Sequence, residues 1–210
     1  MKETSKGAGP EVIDRKLLYI PIIHTEADMG GLSGPVRRAG LQKFGLRGLK
    51  NKANIIHNMW TVIEKTIEGL DLSFEKVRLY QDGLPVCGNE FGIVADLAVE
   101  SRNHRLLMRL MDKGAVIMGT ESSELLLKEY ELAKKILSAG GNLKSMKIEA
   151  HQKPMSDSLL KRRDQFIADR INDTLCPGET GILFLGMLHS LRHLLDEQIK
   201  VVYPVNGQFR

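Results

Sequence analysis

Cysteine is nearly missing from these 210 residues: Cys87 and Cys176 are the only two. They form no disulfide framework and match no zinc-ligand spacing. Aromatic residues are sparse at 5%, with Trp60 the single tryptophan. Without interleaved aromatics, and without a GxxxxGK[ST] phosphate loop, nucleotide or RNA binding has little support. No apolar run approaches the roughly 20 residues of a membrane span. Met1–Pro10 is polar and glycine-containing, with no apolar core for a signal peptide. A flexible N-terminus over 1–10, one domain over 11–210 and a soluble, reducing, cytoplasmic setting are therefore expected. No Gly-x-Ser-x-Gly elbow occurs, which argues against an ordinary serine hydrolase.

Acidic residues are absent from one long stretch. Between Met29 and Ile63 lie Arg37, Arg38, Lys43, Arg47, Lys50 and Lys52 without a single Asp or Glu, although the whole chain carries a formal charge of only +4. The same stretch holds Gly30, Gly31, Gly34, Gly40, Gly45 and Gly48. It reads as a solvated connection leading into a helix, or as a mobile loop that draws anionic ligands.

Among what is present, short apolar runs alternate with helical periodicity. Leu17–Ile23, Val77–Tyr80, Ala115–Met118 and Gly181–Leu185 read as strands, with a last apolar run over Val201–Val205. Ile56, Trp60, Ile63 and Ile67 recur at helical spacing in Ala53–Gly69, and further helices are expected over Arg102–Asp112, Ser123–Ser138, Ser156–Leu175 and about His189–Gln198. Asn142–Met155 reads as an irregular loop. Such alternation predicts an α/β fold, a mostly parallel sheet flanked by helices. Pro21 and Pro204 suit an edge or an early strand end better than a strand centre.

A parallel sheet gathers the groups that follow its strands on one edge. Here these are His24, Glu26 and Asp28, then Gln81 and Asp82, then Thr120 and Glu121, and finally His189. Two imidazoles with carboxylates suit a divalent metal such as zinc, manganese or iron, with His24, Asp82, Glu121 and His189 as candidate ligands. They equally suit metal-free acid and base catalysis, with a histidine activating water. Asp82-Gly83 also reads as a plain turn, and Glu121 as a cap of the helix that starts near Ser123. Cys87 and Cys176 read as small buried or loop residues, His57 as packed beside Trp60, and His104 as lacking a partner at ligand spacing.

The helix Ser156–Leu175 adds a further member. Its inward stripe runs Leu160, Arg163 or Asp164, Ile167, Ile171 and Leu175, so charge interrupts the apolar face. The 12 residues from Arg163 to Leu175 rise about 18 Å, close to the roughly 17–20 Å of a short strand. Arg163 and Asp164 then stand level with His189, unless the guanidinium snorkels outward.

Arg163-Asp164-Gln165-Phe166-Ile167-Ala168, the strand Ile182-Leu183-Phe184-Leu185 and the turn Gly186-Met187-Leu188-His189 resemble the carboxyl-terminal signature of a broad group. It contains the TraB and Tiki-type metalloproteases, the ChaN-like haem-binding proteins and the erythromycin esterases. The resemblance also matches His24 to the group's first-strand histidine, though Pro21 stands where the group has glycine, and it places an acidic residue one step before Asp82.

The combined expectation is a hydrolase of amide or ester bonds. His24 and His189 hold a metal or activate water, Glu26 or Glu121 carries the proton, and Arg163 stabilises an oxyanion. The alternative is a non-catalytic protein that binds haem, a metal or an anionic small molecule in the same cleft. A small-molecule or peptide substrate is implied, no membrane partner is, and homo-oligomerisation stays open.

Overall fold

The computed structural model describes residues 14–25, 28, 31–138 and 143–205, with side chains from 151 onward in the last segment. Residues 1–10, expected to form the flexible N-terminus, and Glu26 lie outside the described residues.

Five strands form one sheet: β1 (Arg15–Ile22), β2 (Val77–Gln81), β3 (Val116–Met118), β4 (Thr180–Gly186) and β5 (Ile199–Val202). Their order is β3-β2-β4-β1-β5 and every pairing is parallel. This is the expected α/β class. The pleat sends successive side chains to opposite faces. Leu18, Ile20, Ile22, Leu79, Ile182 and Phe184 pack on one side with Ile56, Trp60, Ile63 and Ile67 of α1 (Ser33–Glu68) and with Leu106, Leu107 and Leu110 of α3 (Arg102–Asp112). On the other side Leu17, Tyr19, Tyr80, Leu183 and Leu185 meet Ile167, Ala168, Ile171 and Leu175 of α5 (Leu143–Thr174). Both faces of the sheet are thus covered, and α4 (Ser123–Ser138) packs on α5 through Leu125, Leu132 and Leu159. Between β2 and α3, α2 (Glu90–Ala98) is a helix that periodicity does not announce.

The prolines sit where the ladder tolerates them. β5 pairs β1 only from Arg15 to Leu18, so Pro21 lies beyond the doubly paired stretch. β5 ends at Val202, ahead of Pro204, and is shifted from the expected run Val201–Val205.

Three expectations are corrected. The glycine-rich stretch is helical from Ser33, not a loop followed by a helix at Ala53, and only Gly45 (φ 64°) breaks it. Each glycine costs about 1 kcal/mol relative to alanine, whereas the intervening Leu, Arg, Lys and Gln cost little. Asn142–Met155 is not an irregular loop either, since α5 begins at Leu143 and runs through Pro154. Proline removes one intrahelical donor, and the neighbouring Lys, Met and Gln are good helix formers. His189–Gln198 forms turns, not a helix. There the backbone N–H of His189 donates to Gly186 and that of Ser190 to Asp164, so local turn bonds replace helical ones. Among the described residues no helix is long and apolar enough to cross a membrane.

Candidate functional site

At the carboxyl edge of the sheet the backbone first fixes Asp82. Its N–H continues the ladder to Phe184 O at 2.9 Å, and Gly83 at φ 77° then turns the chain back. A side chain at residue 83 would be strained by that left-handed backbone, which explains the glycine. Asp82 is thereby buried between two strand ends. Its Oδ2 accepts the N–H of Gly186 at 2.8 Å and lies 2.9 Å from His24 Nε2, while Oδ1 accepts from Arg163 Nη2 at 2.8 Å.

His189 lies on the far side of Gly186. Its Nδ1 is 2.5 Å from Asp164 Oδ1, and Asp164 Oδ2 also accepts the Ser190 N–H at 3.1 Å. This leaves His189 Nε2 facing Asp82 Oδ2 at 3.7 Å. A Cβ added at Gly186 would stand 2.8 Å from Asp82 Oδ2 and 3.6 Å from both rings, so the absence of a side chain keeps the three groups together.

Glu121, fully buried, follows β3 on a segment tied back by its own N–H to Leu84 O and by the Val86 N–H to its carbonyl. It faces Arg163 bidentately, with Nη2 to Oε1 at 2.5 Å and Nε to Oε2 at 3.0 Å. Glu129 of α4 accepts from Arg163 Nη1 at 2.5 Å. Four guanidinium N–H groups are thus spent on three carboxylates, so Arg163 braces the cluster from behind. This geometry differs from the expected oxyanion role, and neither the snorkelling reading of Arg163 nor a helix-cap reading of Glu121 fits it.

The electrostatics follow from burial and charge together. Burial pushes Asp82 up, but the His24 hydrogen bond and the charges of His24, His189 and Arg163 outweigh it and hold the carboxyl well below the usual range. Burial opposes protonation of His24, yet its hydrogen bond to Asp82 and the Asp82 and Asp28 charges prevail and raise it above the ordinary 6.5. Burial raises the Glu121 carboxyl, against the pull of Arg163. Four carboxylates, Asp82, Glu121, Asp164 and the half-exposed Glu129, thus surround the single guanidinium of Arg163 and the two imidazoles.

Asp82, Glu121 and His189 each offer a ligand atom within 4.8 Å of the others. Asp164 on His189 Nδ1 would serve as the outer carboxylate that orients such a ligand. Arg163 stands on oxygens of both carboxylates, so a cation there would have to share or displace it. The chemistry open to the site is therefore proton transfer at two carboxylate-held imidazoles, with a three-ligand cation position beside them.

The structure brings His24, Asp82, Glu121, Arg163 and His189 together. Asp28 points elsewhere: its carboxylate accepts from Thr25 N, Thr25 Oγ1 and Ser101 Oγ at 2.7, 2.8 and 2.6 Å. Ser101, which caps α3, lies 2.7 Å from His104 Nδ1. This buried latch ties the loop that follows His24 to α3, so His104 does have partners. Asp164 stands where the interrupted helix face placed it, level with His189, whereas Glu129 and Ser101 complete the environment without standing out in the sequence. His57 is exposed beside Arg102, not packed, and both cysteines are exposed. Two cavities adjoin the site, one of about 760 Å³ reached by His24 and one of about 270 Å³ reached by His189. Comparison with family models, curated proteins and solved structures finds no match for the chain.

Proposed function

We propose that this chain is a hydrolase of amide or ester bonds in which His24, held by Asp82, activates water. The observation that carries the reading is the placement of His24: its Nε2 is bonded to a buried carboxylate at 2.9 Å, and its ring borders a cavity of about 760 Å³. A carboxylate that fixes one imidazole nitrogen sets the tautomer and leaves the other as a base. In the proposed step His24 Nδ1 takes a proton from water as the water oxygen bonds to the substrate carbonyl carbon. The intermediate collapses as the C–O or C–N bond breaks, and the proton passes from His24 to the leaving oxygen or nitrogen. His189, oriented by Asp164, is the second proton-carrying group, and Arg163 positions Asp82 and Glu121. The resemblance to the TraB/Tiki, ChaN-like and erythromycin esterase group is consistent with this class of reaction. The exposed free thiols fit a reducing, cytoplasmic setting.

A second reading is favoured by the cluster Asp82, Glu121 and His189 with its net negative charge. These residues would hold zinc, manganese or iron, which would supply an activated water. One set of measurements separates the readings: hydrolysis of an ester and amide panel, with and without chelator, and elemental analysis beside His189→Ala. The first reading expects activity that survives chelation and falls by about 10²–10⁴-fold in His24→Gln. Wild-type inactivity across the panel, or an unchanged His24→Gln, would overturn it. A stoichiometric metal that His189→Ala loses, together with chelator-sensitive activity, would establish the second. A Soret band on haem titration that either histidine replacement abolishes would instead support a haem-binding protein.

A further inference from the structure

The walls of the cavity beside His24 carry more than the hydrolytic step uses. Gly45 divides α1 into two segments that approach each other closely, since a Cβ at Gly40 would meet Leu49 Cδ2 at 3.0 Å and one at Gly48 would meet Phe44 Cβ at 2.8 Å. The first segment contributes Val36 and Phe44 to the cavity and the second contributes Leu49, Ile56 and Trp60. These five side chains make an apolar lining within the roughly 300–1,000 Å³ size range of small-molecule sites.

The charged groups on the same lining are three cations and two acids. Lys52, Arg102 and Arg105 border the space with Glu64 and Glu100. Glu64 and Arg102 pair with each other at 2.5 Å, and Glu64 also with Arg109 at 3.3 Å, which leaves Lys52 and Arg105 against Glu100. Among the described residues Arg105 reaches the carbonyls of Ala98 and Val99, at 3.3 and 3.4 Å. From α1 the cavity takes one cation, Lys52, and one acid, Glu64. Trp60 borders the cavity with the edge of a ring that is 1% exposed and stacks on Phe184 in the core.

We propose that this cavity binds an amphipathic acyl ester or amide that carries a negative charge. Its acyl chain lies along Phe44, Leu49, Ile56 and Trp60, its scissile carbonyl lies at His24, and its anionic group faces Lys52 and Arg105. The position of the carbonyl rests on the hydrolase reading, whereas the affinity for a charged acyl chain does not.

Because Trp60 is the single tryptophan, its emission reports directly on the cavity. The full chain is titrated with hexanoate, octanoate and decanoate below micelle-forming concentrations, and with alkyltrimethylammonium ions of equal length. Saturable changes in emission are expected, tightening about fourfold per added methylene (about 0.8 kcal/mol) and weaker for the cations. Lys52→Glu, an exposed substitution, should reverse the preference for the carboxylate. No saturable change with any carboxylate, or affinity independent of chain length, would overturn the cavity assignment. If decanoate binds as expected but the p-nitrophenyl esters of the same acids are not hydrolysed, the hydrolase reading fails and the acyl-binding site stands. If short esters are hydrolysed through His24 with no dependence on chain length, the hydrolase reading stands and the acyl site fails.

Discussion

Replacing Arg163 by methionine keeps most of its apolar stem and removes the guanidinium on which the buried cluster depends. Arg163, Asp82 and Glu121 side chains are 6%, 5% and 0% exposed. Removal of the cation therefore strands Glu121, which water cannot reach, and leaves Asp82 to His24 and the Gly186 N–H alone. Breaking a buried pair in this way costs about 3–5 kcal/mol, mostly as the penalty of the unpaired charge and not as lost attraction. At about 2–4 °C per kcal/mol for a chain of this size, Arg163→Met should melt roughly 6–20 °C below wild type. The same reasoning fixes two controls. Arg163→Met with Glu121→Gln should recover part of the deficit, because one stranded charge is gone. Lowering the pH should also shrink the deficit, because protonation neutralises what the guanidinium no longer balances. Urea denaturation and thermal melts of the single and double variants across pH measure all three. A loss under about 1 kcal/mol, or a double variant no more stable than the single, would refute the account of Arg163 as the charge that permits burial of Asp82 and Glu121.

Four other substitutions probe different links. His24 has a raised folded-state pKa, so its protonated form contributes stability that is fully present below the ordinary 6.5 and lost as pH rises through the raised value. The melting difference between wild type and His24→Gln should therefore narrow with rising pH over that window, and hydrolysis, which needs the neutral ring, should rise over it. Asp82→Asn should move that activity limb to lower pH, and an unmoved limb would remove Asp82 from the dyad. Gly186→Ala places a Cβ 2.8 Å from Asp82 Oδ2, so a loss of about 1–3 kcal/mol is expected together with impaired hydrolysis; wild-type melting and rate would show that the three groups tolerate separation. Ser101→Ala removes the α3 cap and one donor to Asp28, for a loss of about 1–2 kcal/mol; with the loop latch weakened, ester hydrolysis should fall while the far-UV spectrum stays native.

Much of the scaffold was legible because it rests on one-dimensional patterns. Leu17–Ile23 and Gly181–Leu185 are buried on both faces and so read as continuous apolar runs, while Ile56, Trp60, Ile63 and Ile67 carry one helix face. The level of Arg163 with His189 came from matching helix rise to strand rise, an estimate that the Asp164 bond to His189 at 2.5 Å agrees with. The helix over the glycine-rich stretch was illegible for an energetic reason. Propensity penalises Gly40 and Gly48 singly, whereas the close approach of Leu49 to Gly40 and of Phe44 to Gly48 depends on their lacking a side chain. The proline in α5 misled in the same way, since one lost donor weighs less than the helix formers around it.

The roles within the cluster were hidden for a different reason: a strand-end position says that a group is near the edge, not which atom faces which. His24 and His189 look equivalent as two histidines after two apolar runs. Their carboxylates make them unlike, because Asp82 takes Nε2 of the first and Asp164 takes Nδ1 of the second. Opposite nitrogens are therefore left for chemistry, and the two rings border different cavities. Both Nε2 atoms face Asp82 Oδ2, at 2.9 Å from His24 and 3.7 Å from His189. What separates the rings is their outer side, where His24 borders the larger of the two cavities and His189 is held by Asp164. Under the proposed hydrolase reading, general-base chemistry would fall to His24, and a cation would sit on the His189 side of Gly186, among Asp82, Glu121 and His189.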